Sequence, residues 1–150
     1  MNVSWLLLLP AVLIVGCHGA PPQDLGVREG RLAPCPSSPN CVSSQEDGEE
    51  HRVAPLPYIG TAEEAMKKLK AIVHSLPRTS IVTETPAYLH AEFTSFLFRF
   101  VDDAEFFADD SAKVIHVRSA SRLGYSDLGV NRKRIELIRE RWNAASQRTG

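Results

Sequence analysis

Between residues 78 and 119 the apolar side chains stop recurring every three or four positions and recur every second one. That period belongs to strands with one buried face, and it limits the middle of the chain to a β-sheet. Residues 80–84 and 87–93 are separated by a Thr-Pro turn. Phe96, Phe98 and Phe100 then alternate with Leu97, Arg99 and Val101, which predicts a strand with one strongly buried face. Residues 113–119 set Ile115 and Val117 against His116 and Arg118. Asp102, Asp103 and Glu105 fall between these last two strands, with Asp109-Asp110 marking a turn. The expectation is an antiparallel meander of about four strands.

Helical periods flank this block. Thr61 and Glu64 have capping-box spacing, and Ala62, Ala65, Met66, Leu69, Ile72, Val73 and Leu76 follow at helical intervals until Pro77. A second helix is expected after Asn131 as cap, with Val130 and Ile135 placed as a hydrophobic staple. Its stripe is Ile135, Ile138, Trp142 and Ala145. A short extended piece at residues 53–56 follows an acidic turn at 46–50. The fold class is α+β: an antiparallel sheet of about four to five strands, with two main helices packed on one face.

At 150 residues, 43 % of them apolar and 23 % charged, the chain suits one globular domain. Its apolar residues are unevenly spread, because residues 1–16 carry no charge and 5–15 are nearly continuous hydrocarbon. That run is shorter than the roughly 20 residues a spanning helix needs and fits the apolar core of a secretory signal. Ile14-Val15-Gly16-Cys17 resembles a bacterial lipobox, which implies cleavage before Cys17 and lipid attachment to its thiol. A plain secretory signal or an uncleaved anchor is the competing reading, since Met1 to Trp5 include no Lys or Arg. His18, in place of Asp, implies sorting to the outer membrane, facing the periplasm. The expected organisation is a signal peptide at 1–16, a flexible lipid-anchored tether at 17–31, one α+β domain at 32–146 and a tail at 147–150.

With Cys17 assigned to lipid, Cys35 and Cys41 remain as an even pair in PCPSSPNC. A disulfide suits an oxidising envelope. A redox pair, or a metal site with His51, are the alternatives, but neither has its usual spacing. The other histidines (His18, His74, His90 and His116) likewise show no metal spacing. No cofactor is expected.

Residues 118–142 hold seven Lys or Arg against three Asp or Glu, in a chain of formal net charge −1. Arg132, Lys133 and Arg134 would occupy the first turn of the second helix, where the macrodipole is already positive and each cation is unfavourable by a few tenths of a kcal/mol. Compensation can come from outside, as a phosphate or carboxylate ligand held by Arg118, Ser121, Arg122, Asn131 and Arg134. It can also come from inside, with Asp102, Asp103, Glu105 or Asp127 pairing with the arginines and locking helix to sheet. The acidic run favours the internal network. No G-x-S-x-G, H-E-x-x-H, P-loop or dinucleotide fingerprint occurs. An acid–base role for Asp102, Asp103 and Glu105 names no substrate. Nucleic acid is a poor partner for so small a basic patch at a pI near 6.5.

Three segments carry a resemblance: LAPCPSSPNCVSS at 32–44, FRFVDDAEF at 98–106 and RSASRLGYSDLGVNRKR at 118–134. They resemble the signature blocks of the family called domain of unknown function 1499, over about residues 25–142. The resemblance implies an exported or lipid-anchored bacterial protein and carries over no catalytic residue. The functional expectation is an envelope-anchored binding or accessory module for an anionic or lipid-derived small ligand. A structural lipoprotein docking another envelope protein ranks second, and a carboxylate-dependent hydrolase last.

Overall fold

The computed structural model describes residues 19–147. The signal peptide and Cys17 lie outside these, as do the last three residues of the tail.

The fold is α+β, with six strands and two helices among the described residues. The strands are β1 (Cys41–Ser43), β2 (Leu56–Pro57), β3 (Thr79–Glu84), β4 (Tyr88–Thr94), β5 (Val101–Asp109) and β6 (Val114–Ser121). The helices are α1 (Ala62–His74) and α2 (Val130–Gln147). β3 to β6 form the expected meander, all antiparallel. The sheet is one strand larger than the upper expectation, because two short pieces share the free edge of β6. β1 pairs with Arg118 to Ala120, and β2 with Val114 and Ile115.

α1 begins where its local chemistry requires. Thr61 accepts from the Glu64 N–H through its hydroxyl, and the Glu64 carboxylate reaches back to Thr61. Its buried stripe of Ala65, Met66, Leu69 and Val73 joins Ile135, Ile138 and Trp142 of α2 in one core. The sheet contributes Leu89, Ala91, Phe93, Ala104, Phe106, Ala108, Ile115 and Val117. Strand alternation and the pairing register put these eight on one face, so both helices cover that face.

Three expectations are corrected. Residues 95–100 are not a strand but the tip of the β4–β5 hairpin, with Phe96 78 %, Leu97 72 % and Phe98 66 % exposed. Ser95 closes the tip, its N–H donating to the Phe100 carbonyl and its hydroxyl accepting from the Phe100 N–H, while Arg99 turns the chain at φ 59°. Asp102, Asp103 and Glu105 lie within β5, not in a connection, because buried arginines stand opposite or near them. Asn131 sits inside α2 and does not cap it. Asp127 takes that role, its carboxylate accepting from the N–H groups of Gly129 and Asn131.

The segment expected to be a flexible tether lies against the domain. Gly26 donates its N–H to Glu105, and the Arg31 guanidinium donates to the Gln45 carbonyl.

Candidate functional site

Alternation along β5 sends its three carboxylates to two different faces. Asp102 points with Ala104 and Phe106 toward the helices, whereas Asp103 and Glu105 point to the other face beside His90, Glu92 and Arg118. Each face has its own ionic network.

On the helix side Arg134, from the first turns of α2, reaches Asp102 at 2.5 Å, Asn131 Oδ1 at 2.5 Å and the Ser119 hydroxyl at 3.0 Å. Its guanidinium also lies 4.6 Å from the centre of the Phe93 ring. Asn131 is fully buried and uses its whole amide. Its oxygen accepts from Ser119 at 2.6 Å, and its nitrogen donates to the Asn40 carbonyl and the Ser121 hydroxyl, both at 3.0 Å. Asn40 in turn donates to the Gly124 carbonyl. The two signature segments therefore meet, as a site shared between them requires. What fills the space between them is protein hydrogen bonding.

The outer face holds a second network. Arg122 clasps Asp103 with two N–H groups, both at 2.8 Å, and also bonds Glu92. His90 Nε2 lies 2.7 Å from Asp103 Oδ1, an oxygen that also accepts from Arg122. Burial alone would push the Asp103 carboxyl up, but the hydrogen bonds from Arg122 and His90 outweigh it and hold the group below the ordinary carboxylate range. Glu105 accepts from Gly26 N–H and Tyr88 OH, each at 2.8 Å, and from Arg118 at 3.2 Å. Burial, reinforced by the Glu105 charge, pushes the Tyr88 hydroxyl well up, so it stays a donor. The Arg118 Nε is buried with no partner among the described residues.

Each arginine proposed to hold an anion thus already has a carboxylate: Arg118 with Glu105, Arg122 with Asp103 and Glu92, Arg134 with Asp102. Asp127 caps α2 and pairs with none of them. Ser121 serves Asn131. The cationic first turn is relieved in the same way, since Arg132 donates to the carbonyls of Glu50 and Arg52. The carboxylates do not converge on a shared space, and no hydroxyl is hydrogen-bonded to His90 among the described residues. His90 and Asp103 are 4 % and 1 % exposed, which gives a reactant no approach.

Cys35 and Cys41 are bonded, with Cα atoms 5.6 Å apart, so neither sulfur is a metal ligand. His51 instead faces the Cys41 carbonyl through Nδ1 at 2.9 Å. Among the described residues no group of three His, Cys, Asp or Glu is placed to hold a metal.

A cleft of about 680 Å³ lies away from all of these residues, between the start of α1 and the end of α2. Tyr58, Ile59, Lys68 and Trp142 line it, with the Lys68 ammonium 4.3 Å from the centre of the Trp142 ring. Burial lowers the Lys68 ammonium from its ordinary value. Its basis lies in two helices separated by residues 75–129, and neither contributes a motif that sequence reading could single out.

No curated protein and no solved structure matches the chain. The family model described as protein of unknown function (DUF1499) matches residues 31–141, a span that takes in the disulfide, both ionic networks and most of α2. The chain therefore belongs to the DUF1499 family.

Proposed function

We propose that this chain is a lipid-anchored accessory domain of a bacterial cell envelope, held at the outer membrane and facing the periplasm. In this reading the charged signature residues brace the body, and recognition is left to its surface. One observation supports it above all: Arg118, Arg122 and Arg134 are each neutralised from within by a buried carboxylate. A free anion would have to displace a partner already in place, at the cost of an unpaired buried charge. That ranks docking of another envelope component above anion capture at residues 118–134, and leaves no basis for a hydrolase built on Asp102, Asp103 and Glu105. Mass spectrometry of the N-terminal peptide tests the anchor. A diacylglyceryl mass on Cys17 and loss of membrane fractionation in Cys17→Ser are expected; an unmodified Cys17 in a soluble chain would end the proposal.

A second reading keeps the small ligand and moves it to the cleft at Tyr58 and Trp142. Lys68 favours this, as a cation beside aromatic and aliphatic walls suits an apolar body with an acidic head. Thermal shift with alkyl phosphates and fatty acids is the direct measurement. A shift that survives Lys68→Ala unchanged would remove the anionic head from this account.

A further inference from the structure

Seven of the eleven large apolar side chains exposed among the described residues are carried by two loops at one end of the sheet. The last rungs there are Thr94 opposite Val101 and Asp102 opposite Ser121. Beyond them project the hairpin tip at 95–100 and the loop at 122–129, the latter held to the sheet by the Arg122 N–H on the Val101 carbonyl. The first carries Phe96, Leu97, Phe98 and Phe100, and the second Leu123, Tyr125 and Leu128, with Tyr125 76 % and Leu128 85 % exposed. An apolar end of this kind on a small domain marks a surface that something covers.

The chain itself indicates what covers it. Gly19 lies at this end, so close that an added Cβ would fall 3.0 Å from Arg122 Cβ and 3.1 Å from Leu123 Cγ. Gly19 is the first described residue, so the N-terminal residues join the described structure at this end. Charge agrees with a lipid surface. The tip has no acidic residue, it carries Arg99, and the Arg78 guanidinium lies 5.6 Å from the centre of the Phe96 ring. Aromatic and aliphatic side chains flanked by Arg78 and Arg99 fit the boundary between headgroups and acyl chains, where rings settle and cations meet anionic lipid. The cleft at Tyr58 opens near β2, which pairs with the opposite end of β6.

We propose that this end of the sheet is a membrane-docking surface: Phe96, Leu97, Phe98, Leu123 and Tyr125 enter the interface of the bilayer that holds the N-terminus, and the domain stands upright on it. The orientation rests on the anchored reading above, but the contact is a separate property. A diacylglyceryl anchor already brings two acyl chains, so the second contact sets how the domain is oriented on the bilayer rather than whether it stays there.

The test uses the full chain reconstituted in phosphatidylethanolamine–phosphatidylglycerol vesicles brominated in the upper acyl region. Phe98→Trp reports the tip and Ile59→Trp reports the opposite end, where Ile59 is 100 % exposed. At least a twofold larger quenching of Phe98→Trp than of Ile59→Trp is expected. Equal or reversed quenching, with the chain co-sedimenting, overturns docking and leaves the anchor standing. Co-sedimentation of Cys17→Ser with Phe98→Trp still quenched supports docking and removes the anchor. A chain that stays in solution overturns both. Emission of Phe98→Trp already shifted to the blue without vesicles overturns docking by assigning the patch to the chain's own residues 5–15. A tip unquenched in vesicles but crosslinked to a second protein in whole envelopes overturns it in favour of a protein partner.

Discussion

The backbone N–H of Gly26 donates to Glu105 Oε1 at 2.8 Å, across 79 positions of sequence. The contact turns the segment before the domain into part of it. Glu105 has no exposed surface and accepts from three donors, one from the N-terminal segment, one from β4 and one from β6. A buried carboxylate is tolerable only with such a shell. The segment that precedes the domain is thereby fastened to the polar face of the sheet.

Glu105→Gln should therefore do two things. It keeps an acceptor for Gly26 and Tyr88 but leaves Arg118 buried without its counter-charge, a loss of about 3 kcal/mol on the scale of broken buried pairs. Urea denaturation reads that term. Amide exchange at Gly26 and Val27 should quicken by more than the global change explains; protection unchanged there would show the strap to be held by other contacts.

Asn131→Ala should cost about 2–4 kcal/mol, because it takes the acceptor from the buried Ser119 hydroxyl and one partner each from the Ser121 hydroxyl and the Arg134 guanidinium. Lys133→Ala, two residues along and exposed, should stay within about 0.5 kcal/mol of wild type. Thermal melts of the pair separate a lock from a generic effect of altering the helix start. Equal melting temperatures would show that α2 docks without it.

How far these networks were legible in the sequence follows from how local their causes are. The capping box at Thr61 and Glu64 lies within one turn, and α1 is where periodicity predicts it. The signs of the internal pairs were also readable, since Asp102, Asp103 and Glu105 precede a basic run. Their place was not. A strand interior with three carboxylates reads as a connection until Arg118 and Arg122, 13 and 19 positions from their partners, are known to be its neighbours. The tip failed for a related reason. Alternating Phe96, Phe98 and Phe100 obey the strand period equally well in a loop, and the turn is set by the Ser95 clasp and the left-handed Arg99. The signature residues of the family were visible as charge; that they neutralise one another required three dimensions.

The acid limb of the stability curve should belong largely to Asp103. Its pKa is depressed in the folded chain, so its stabilisation is complete above the unfolded value near 4 and fades as pH falls through the lower folded value. Asp103→Asn should flatten the curve below pH 4 and lower stability at pH 7 by about 3–5 kcal/mol, with Arg122 left to Glu92 alone. If the variant keeps the wild-type acid limb, other carboxylates carry the linkage.

Reduction of Cys35–Cys41 should destabilise the chain by about 2 kcal/mol, the chain-entropy value for so short a loop. The effect should be local first. β1 begins at Cys41 and holds Asn40 beneath Asn131, so loss of the bond loosens the edge of β6 and the start of α2 together. Asn131→Ala in the reduced protein should then cost less than in the oxidised one, since its partner is no longer fixed. A double-mutant cycle with Cys35→Ser and Cys41→Ser measures this coupling, and strict additivity would separate the disulfide from the helix lock.

The hairpin tip should behave in the opposite way to every residue above. Phe96, Leu97 and Phe98 contribute little to the core, so Phe96→Ser with Phe98→Ser should change stability by no more than about 0.5 kcal/mol per site. Self-association should fall, since apolar groups at an exposed turn favour contact with any surface that excludes water. Chemical denaturation and analytical ultracentrifugation of the same double variant read the two quantities separately. A large loss of stability would mean that the tip folds back onto the domain, and its exposed rings would then need no partner. Unchanged stability with reduced association leaves a patch of four aromatic rings and three leucines that the fold does not use, at the end of the sheet where Gly19 lies.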